Sequence, residues 1–132
     1  MEALTRLRFL ALERGFISGT IPSSFGNLKS LLLLDLDNNY LTRMLPDSLW
    51  TLEALCQLDL NDNNLKGTLS NDIGLLREWC FFQIDNNDMM GTIPSSMGRI
   101  PNFSVFFALL PVFEMSEYPA SHQTLIRFHH IF

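Results

Sequence analysis

Histidine is missing from the first 121 residues, and cysteine occurs only at Cys56 and Cys80. Neither cysteine has the Cys or His companions of a zinc site, so no metal centre is expected. His122, His129 and His130 lie in a non-repeating tail. No Ser-His-Asp or Cys-His arrangement can be built from them, and no glycine-rich phosphate loop follows a strand pattern. No catalytic residue and no cofactor are therefore expected. Long apolar runs are also missing. The longest, Val105 to Phe113, is nine residues and contains Pro111, against about 20 needed to cross a bilayer. Residues 1–14 carry Glu2, Arg6, Arg8, Glu13 and Arg14 among their leucines, which breaks up any secretory leader. Basic charge is scarce: nine Lys and Arg against fourteen Asp and Glu give a net charge of −5. A nucleic-acid partner needs a basic surface and is disfavoured.

What the chain does have is a period. Leu7, Leu31, Leu55, Trp79 and Phe103 stand 24 apart. So do Leu10, Leu34, Leu58, Phe82 and Phe106, and so do Leu12, Leu36, Leu60, Ile84 and Ala108. A fixed period of this size marks stacked units, none of which can bury its apolar face alone. Within a unit, Leu58-Asp59-Leu60 alternates with period two, the pattern of a brief strand with leucines in and Asp out. Asn39, Asn63 and Asn87 fill one column where the chain leaves the strand. Stacked there, their amides form a ladder that satisfies backbone groups of adjacent units. Gly15 and Pro111 replace Asn in the first and fifth units. Gly19, Gly67 and Gly91, followed by Gly26, Gly74 and Gly98, suit turns that need positive φ. Pro22, Pro46 and Pro94 favour extended or turn backbone, so the side opposite the strands is expected to be irregular, without long helices. Trp50 stands in the Gly26 column and is expected at the convex edge, partly exposed.

The combined pattern L-x-x-L-x-x-L-x-L-x-x-N-x-L-x-G-x-I-P-x-x-L-G, over about residues 4–108, resembles the plant-type subclass of leucine-rich repeats. Receptor-like kinase ectodomains and polygalacturonase-inhibiting proteins carry such arrays, and algal and protist proteins have similar ones. The resemblance implies an α/β solenoid. Its coils form a right-handed superhelix with short parallel strands on the concave face and 3-10 or irregular segments on the convex side. Residues 1–108 form the array, four full units and a partial fifth. Residues 109–132 are a tail that either folds back over the open end or stays disordered. Secreted members of the family usually have cysteine-bearing caps, and this chain has none. It is therefore expected to be a fragment, a truncated gene product or the product of a misassigned gene boundary.

On the strand face, the residues between the inward leucines point outward. Two stripes follow. Phe9, Leu33, Phe81 and Val105 form an apolar row interrupted by Gln57. Glu13, Asp35, Asp37, Asp59, Asp62 and Asp85 form an acidic band, with Gln83 in the Asp35–Asp59 column. Two readings of the band stand: it keeps an exposed face soluble, or it receives a basic or polar partner. Calcium in an EF-hand loop is excluded. From Asp35 the Gly and Glu positions hold Tyr40 and Pro46, and from Asp59 they hold Asn64 and Ser70. Cys56 and Cys80 share a column, but side chains in parallel columns point the same way. They are expected as two thiols at the core edge. Asn102-Phe103-Ser104 is a glycosylation sequon that matters only in a secreted chain.

The resemblance implies a non-catalytic module that binds a protein or peptide ligand through its concave strand face. The alternatives are the ectodomain fragment of a membrane receptor-like kinase, and a structural remnant with no selected ligand. It also implies an extracellular or membrane-associated location.

Overall fold

Each coil opens with a strand of three residues, and the strands stack in parallel. The computed structural model describes residues 4–101, 105–107 and 126–127. The first sheet runs β1 (Phe9–Ala11), β3 (Leu33–Asp35), β5 (Gln57–Asp59), β7 (Phe81–Gln83), β9 (Val105–Phe107) and β10 (Ile126–Arg127). Its register aligns Leu10, Leu34, Leu58, Phe82 and Phe106. Leu34, Leu58 and Phe82 are 0% exposed and belong to one shared core. The 24-residue columns are thus a continuous interior, and the fold is an α/β solenoid. Its helical component is 3-10 throughout the described residues. Residues 126–127 add a parallel strand beyond β9; the rest of the tail with its histidines, and the sequon at 102–104, lie outside the described residues.

The asparagine ladder forms as the sequence predicts. Asn63 Nδ2 donates to the Leu36 and Leu60 carbonyls at 2.9 and 3.2 Å, and its Oδ1 accepts from Leu41 N–H at 2.9 Å. Asn39 and Asn87 repeat the arrangement one coil earlier and one coil later. Arg14, Asn38, Asp62 and Asn86, one residue before the ladder position, all have φ between 51° and 54°. Asn and Asp tolerate this left-handed region better than other non-glycine residues, which accounts for the run of acids and amides at these turns.

The convex side is more regular than the prolines imply. Beyond the ladder, β2 (Ser18–Gly19), β4 (Tyr40–Arg43), β6 (Asn64–Gly67) and β8 (Asp88–Met89) build a second, four-stranded parallel sheet. The prolines act after it. Pro22, Pro46 and Pro94, extended in φ and ψ, introduce the 3-10 segments Ser23–Asn27, Asp47–Thr51 and Ser95–Arg99. In the third coil Ser70 takes the same place and its side chain accepts from Asp72 N–H at 3.1 Å, capping Asn71–Leu75.

The glycines divide by reason. Gly19, Gly67 and Gly91 have φ of 95°, 92° and 86°. Gly26 and Gly74 are not in that region; they are small because the next coil lies against them. A Cβ on Gly26 would sit 2.6 Å from Ser48 Cβ, and one on Gly74 2.6 Å from Ser96 Cβ. Trp50, in the same column, corrects the expectation of partial exposure. It is 2% exposed and meets Trp79 edge to face at 6.3 Å. Burying a large indole against another aromatic ring is favourable enough to turn it inward.

Cys56 and Cys80 are likewise corrected. They form a disulfide, with Cα atoms 5.1 Å apart. Adjacent in-register positions are separated only by the sheet spacing, which lies within bridging range. The two sulfurs meet sideways although their side chains leave the sheet in the same direction. At the first coil the stack is open. Leu12 is 38% exposed, Leu7, Leu10 and Ile17 are half-buried, and Phe16 is exposed.

Candidate functional site

Strand pairing fixes which outward residues become neighbours. Phe9, Leu33, Gln57, Phe81 and Val105 are register partners in succession. Two residues further along each strand, Ala11, Asp35, Asp59, Gln83 and Phe107 form the second row. Between the rows, Leu33, Asp35, Gln57, Asp59 and Phe81 line a shallow hollow of about 80 Å³, with Leu34 beneath them. Five of the residues singled out from the sequence are thus brought together on three adjacent strands. The others are arranged around them. Phe9, 61% exposed, stands towards the open end with the Arg8 guanidinium 5.7 Å from its ring centre. Glu13 is also at that end. Asp62 sits in a left-handed turn and accepts from the side-chain amides of Asn61 and Asn86, each at 2.9 Å. It serves the turn between two coils as much as the surface.

The carboxylates of the hollow are held by their own loops. Asp35 Oδ1 accepts from Asp37 N–H at 3.1 Å, and Asp59 Oδ1 accepts from Asn61 N–H at 3.2 Å. Burial is the largest influence on both. It pushes Asp59 up to about 7, helped by the charges of Asp35, Asp37 and Asp85 and opposed by the Asn61 N–H. Asp35 is raised for the same first reason, with Asp37 and Glu13 adding repulsion. The side-chain charges that act most strongly on these two groups are negative. Sequence position alone treats Asp35 and Asp59 as equals. Depth separates them: Asp59 is flanked by Asp35 and Gln83, whereas Asp35 has on one side only the exposed Ala11 of the open first coil.

A pH dependence of stability follows. Asp59 has its ordinary value of 3.8 in the unfolded chain and about 7 in the folded one. Below 3.8 both states are protonated and the group has no effect. Between the two values the folded state holds the extra proton, so stability falls as pH rises, and above 7 the full penalty is present. With allowance for solvent screening of a half-exposed group, the penalty is about 1–2 kcal/mol. Urea unfolding at pH 5 and pH 8 should show it. Asp59→Asn keeps an acceptor for Asn61 N–H, and should raise stability at pH 8 and flatten the dependence.

Among the described residues no group of His, Cys, Asp and Glu is placed to hold a metal ion, and no helix is long and apolar enough to cross a membrane. The arrangement presents a rigid face of mixed apolar and acidic character.

A parallel-strand solenoid with an asparagine ladder and this face is a leucine-rich repeat array, and the comparisons agree. Residues 5–65 match the family described as leucine rich repeat. No curated protein matches the chain. Among solved structures, the plant peptide hormone receptor RGFR1 in complex with RGF2 is 33% identical with a TM-score of 0.68, over 72% of this chain and 15% of that one. The BIR3–SERK2 complex from Arabidopsis thaliana is 29% identical with a TM-score of 0.76, over 85% and 62%. The PEPR1–AtPEP1 structure is 29% identical with a TM-score of 0.80, over 96% and 18%. Residues 5–65 thus match leucine-rich repeats, and the solenoid resembles the leucine-rich repeat arrays of these plant receptor structures. The chain spans between 15% and 62% of the length of these three structures.

Proposed function

We propose that the chain is a non-catalytic recognition module that binds an extended peptide or a protein loop on its first sheet. The observation that carries this reading is the hollow itself. Three adjacent strands present Leu33, Gln57 and Phe81 beside Asp35 and Asp59 on one rigid surface. Neighbouring coils hold that surface in place through backbone pairing and the ladder, so little ordering is needed on binding. The similar structures include receptors solved with RGF2 and with AtPEP1 and a complex of BIR3 with SERK2, which supports a peptide or protein as partner. The disulfide between Cys56 and Cys80 supports an extracellular location, since such bonds persist in oxidising compartments. Membership in a longer receptor ectodomain is compatible with the same face and the same partner class.

The test is a selection of short random peptides against the folded chain, followed by the double variant Leu33→Glu/Phe81→Glu. Both side chains point away from the core, so the fold should be kept. Selected peptides should lose at least about tenfold in affinity, or about 1.4 kcal/mol. If the peptides bind this variant unchanged but fail on Thr68→Arg, just past the second-sheet strand Asn64–Gly67, the strand-face reading is wrong. If selection yields no binder at all, the reading of a remnant without a ligand gains ground.

A further inference from the structure

We propose that the hollow between Leu33 and Phe81 is a subsite for one arginine side chain of the bound partner. This inference rests on the strand-face reading and names the chemistry of one contact within it.

The hollow has two kinds of wall. Leu33 and Phe81 belong to the same outward row, with Gln57 between them. They form apolar sides that suit the methylene stem of a long cationic side chain. Phe81 adds an aromatic ring, on which a planar guanidinium stacks. The remaining wall is the register pair Asp35 and Asp59. Adjacent strands lie about 4.8 Å apart, so two carboxylates stand side by side at the spacing a forked donor can bridge. Each already holds one backbone N–H through Oδ1, which fixes its orientation. A volume of about 80 Å³ accepts a side-chain head and excludes a fused ring system.

Charge favours the same occupant. The charges of Asp37 and Asp85 bear on Asp59, and those of Asp37 and Glu13 on Asp35. All are acids. A guanidinium placed between the two carboxylates relieves the repulsion and replaces water lost by burial. Its planar fork donates to both at once, whereas a lysine ammonium meets them as a single point charge. Filling the subsite favours ionised Asp59, so binding releases a proton near neutral pH and strengthens as pH rises.

The experiment is an NMR titration of the ¹⁵N-labelled full chain with N-acetyl-arginine amide, using the lysine and citrulline analogues as controls. Arginine should shift the amides of Gln57, Asp59 and Phe81 in a saturable way. Citrulline, which has the same shape without the charge, should not. Lysine should bind at least about threefold more weakly, and the arginine affinity should rise about fivefold between pH 6 and pH 8. Asp59→Asn should abolish saturation while the amide shifts of the ladder stay native. Equal binding of citrulline, equal binding of lysine, or an unaffected Asp59→Asn each overturns the proposal. The two readings fail separately. A selected peptide that needs Leu33 and Phe81 yet ignores Asp59→Asn leaves the strand face standing and removes the arginine subsite. Arginine titration without any peptide binder does the reverse.

Discussion

Trp79→Ala should lower the unfolding free energy by about 4 kcal/mol, the middle of the range for truncation of a buried aromatic. Trp79 is fully buried, stacks on Phe82 at 4.6 Å and receives Trp50 edge-on at 6.3 Å. Its removal leaves a large hole between the third and fourth coils. The surroundings cannot easily close it, because Phe82 lies in β7, whose register is fixed by pairing with β5 and β9. Trp79→Phe should be milder, about 1–2 kcal/mol, since much of the volume and the ring contact remain. Urea unfolding of both variants measures this. A loss below about 1 kcal/mol for Trp79→Ala would mean that the column is not the interior described above.

Asn63→Leu is expected to destabilise by about 3 kcal/mol through a different cause. The side chains are close in size, so packing changes little. What disappears is polar. The Leu41 N–H loses its acceptor, and the Leu36, Leu60 and Asn61 carbonyls lose their shared donor. Asn63 is itself buried. Leaving several backbone groups there without a partner carries a penalty of about 1–3 kcal/mol for each well-desolvated group. Asn63→Asp should be at least as damaging, because it keeps the bond from Leu41 N–H but points oxygen lone pairs at three carbonyls. Hydrogen exchange gives the local signature: the Leu41 amide should lose protection in Asn63→Leu and retain more of it in Asn63→Asp.

The stacked columns were legible in the chain because each apolar position has one job, which is to meet its equivalent in the next coil. Leu34, Leu58 and Phe82 show this. The ladder was legible for the same reason: Asn39, Asn63 and Asn87 recur with nothing else that fits the turn. The outward rows also followed from strand alternation, and pairing put Leu33, Gln57 and Phe81 in line. Four features were not legible. The second sheet is built from Tyr40–Arg43 and its equivalents, where hydrogen bonding between coils, and not side-chain alternation, decides the conformation. Gly26 and Gly74 are explained only by the approach of Ser48 and Ser96, a distance that no local pattern encodes. Cys56 and Cys80 bond across a gap set by sheet spacing, although direction alone argued against it. Asp59 differs from Asp35 by how deeply the coils on either side bury it, and burial depth is a property of the assembled stack.

The ladder has a direction. Asn39 ties down the turn of the coil before its own, Asn63 does so for the second coil and Asn87 for the third. Each Nδ2 also binds carbonyls of its own bend, but each Oδ1 accepts only from backbone N–H groups of the preceding coil. In a chain made from its N-terminus onward, the backbone amides of Gly15, Ile17, Leu41 and Leu65 thus find their side-chain acceptor only once the following coil is in place.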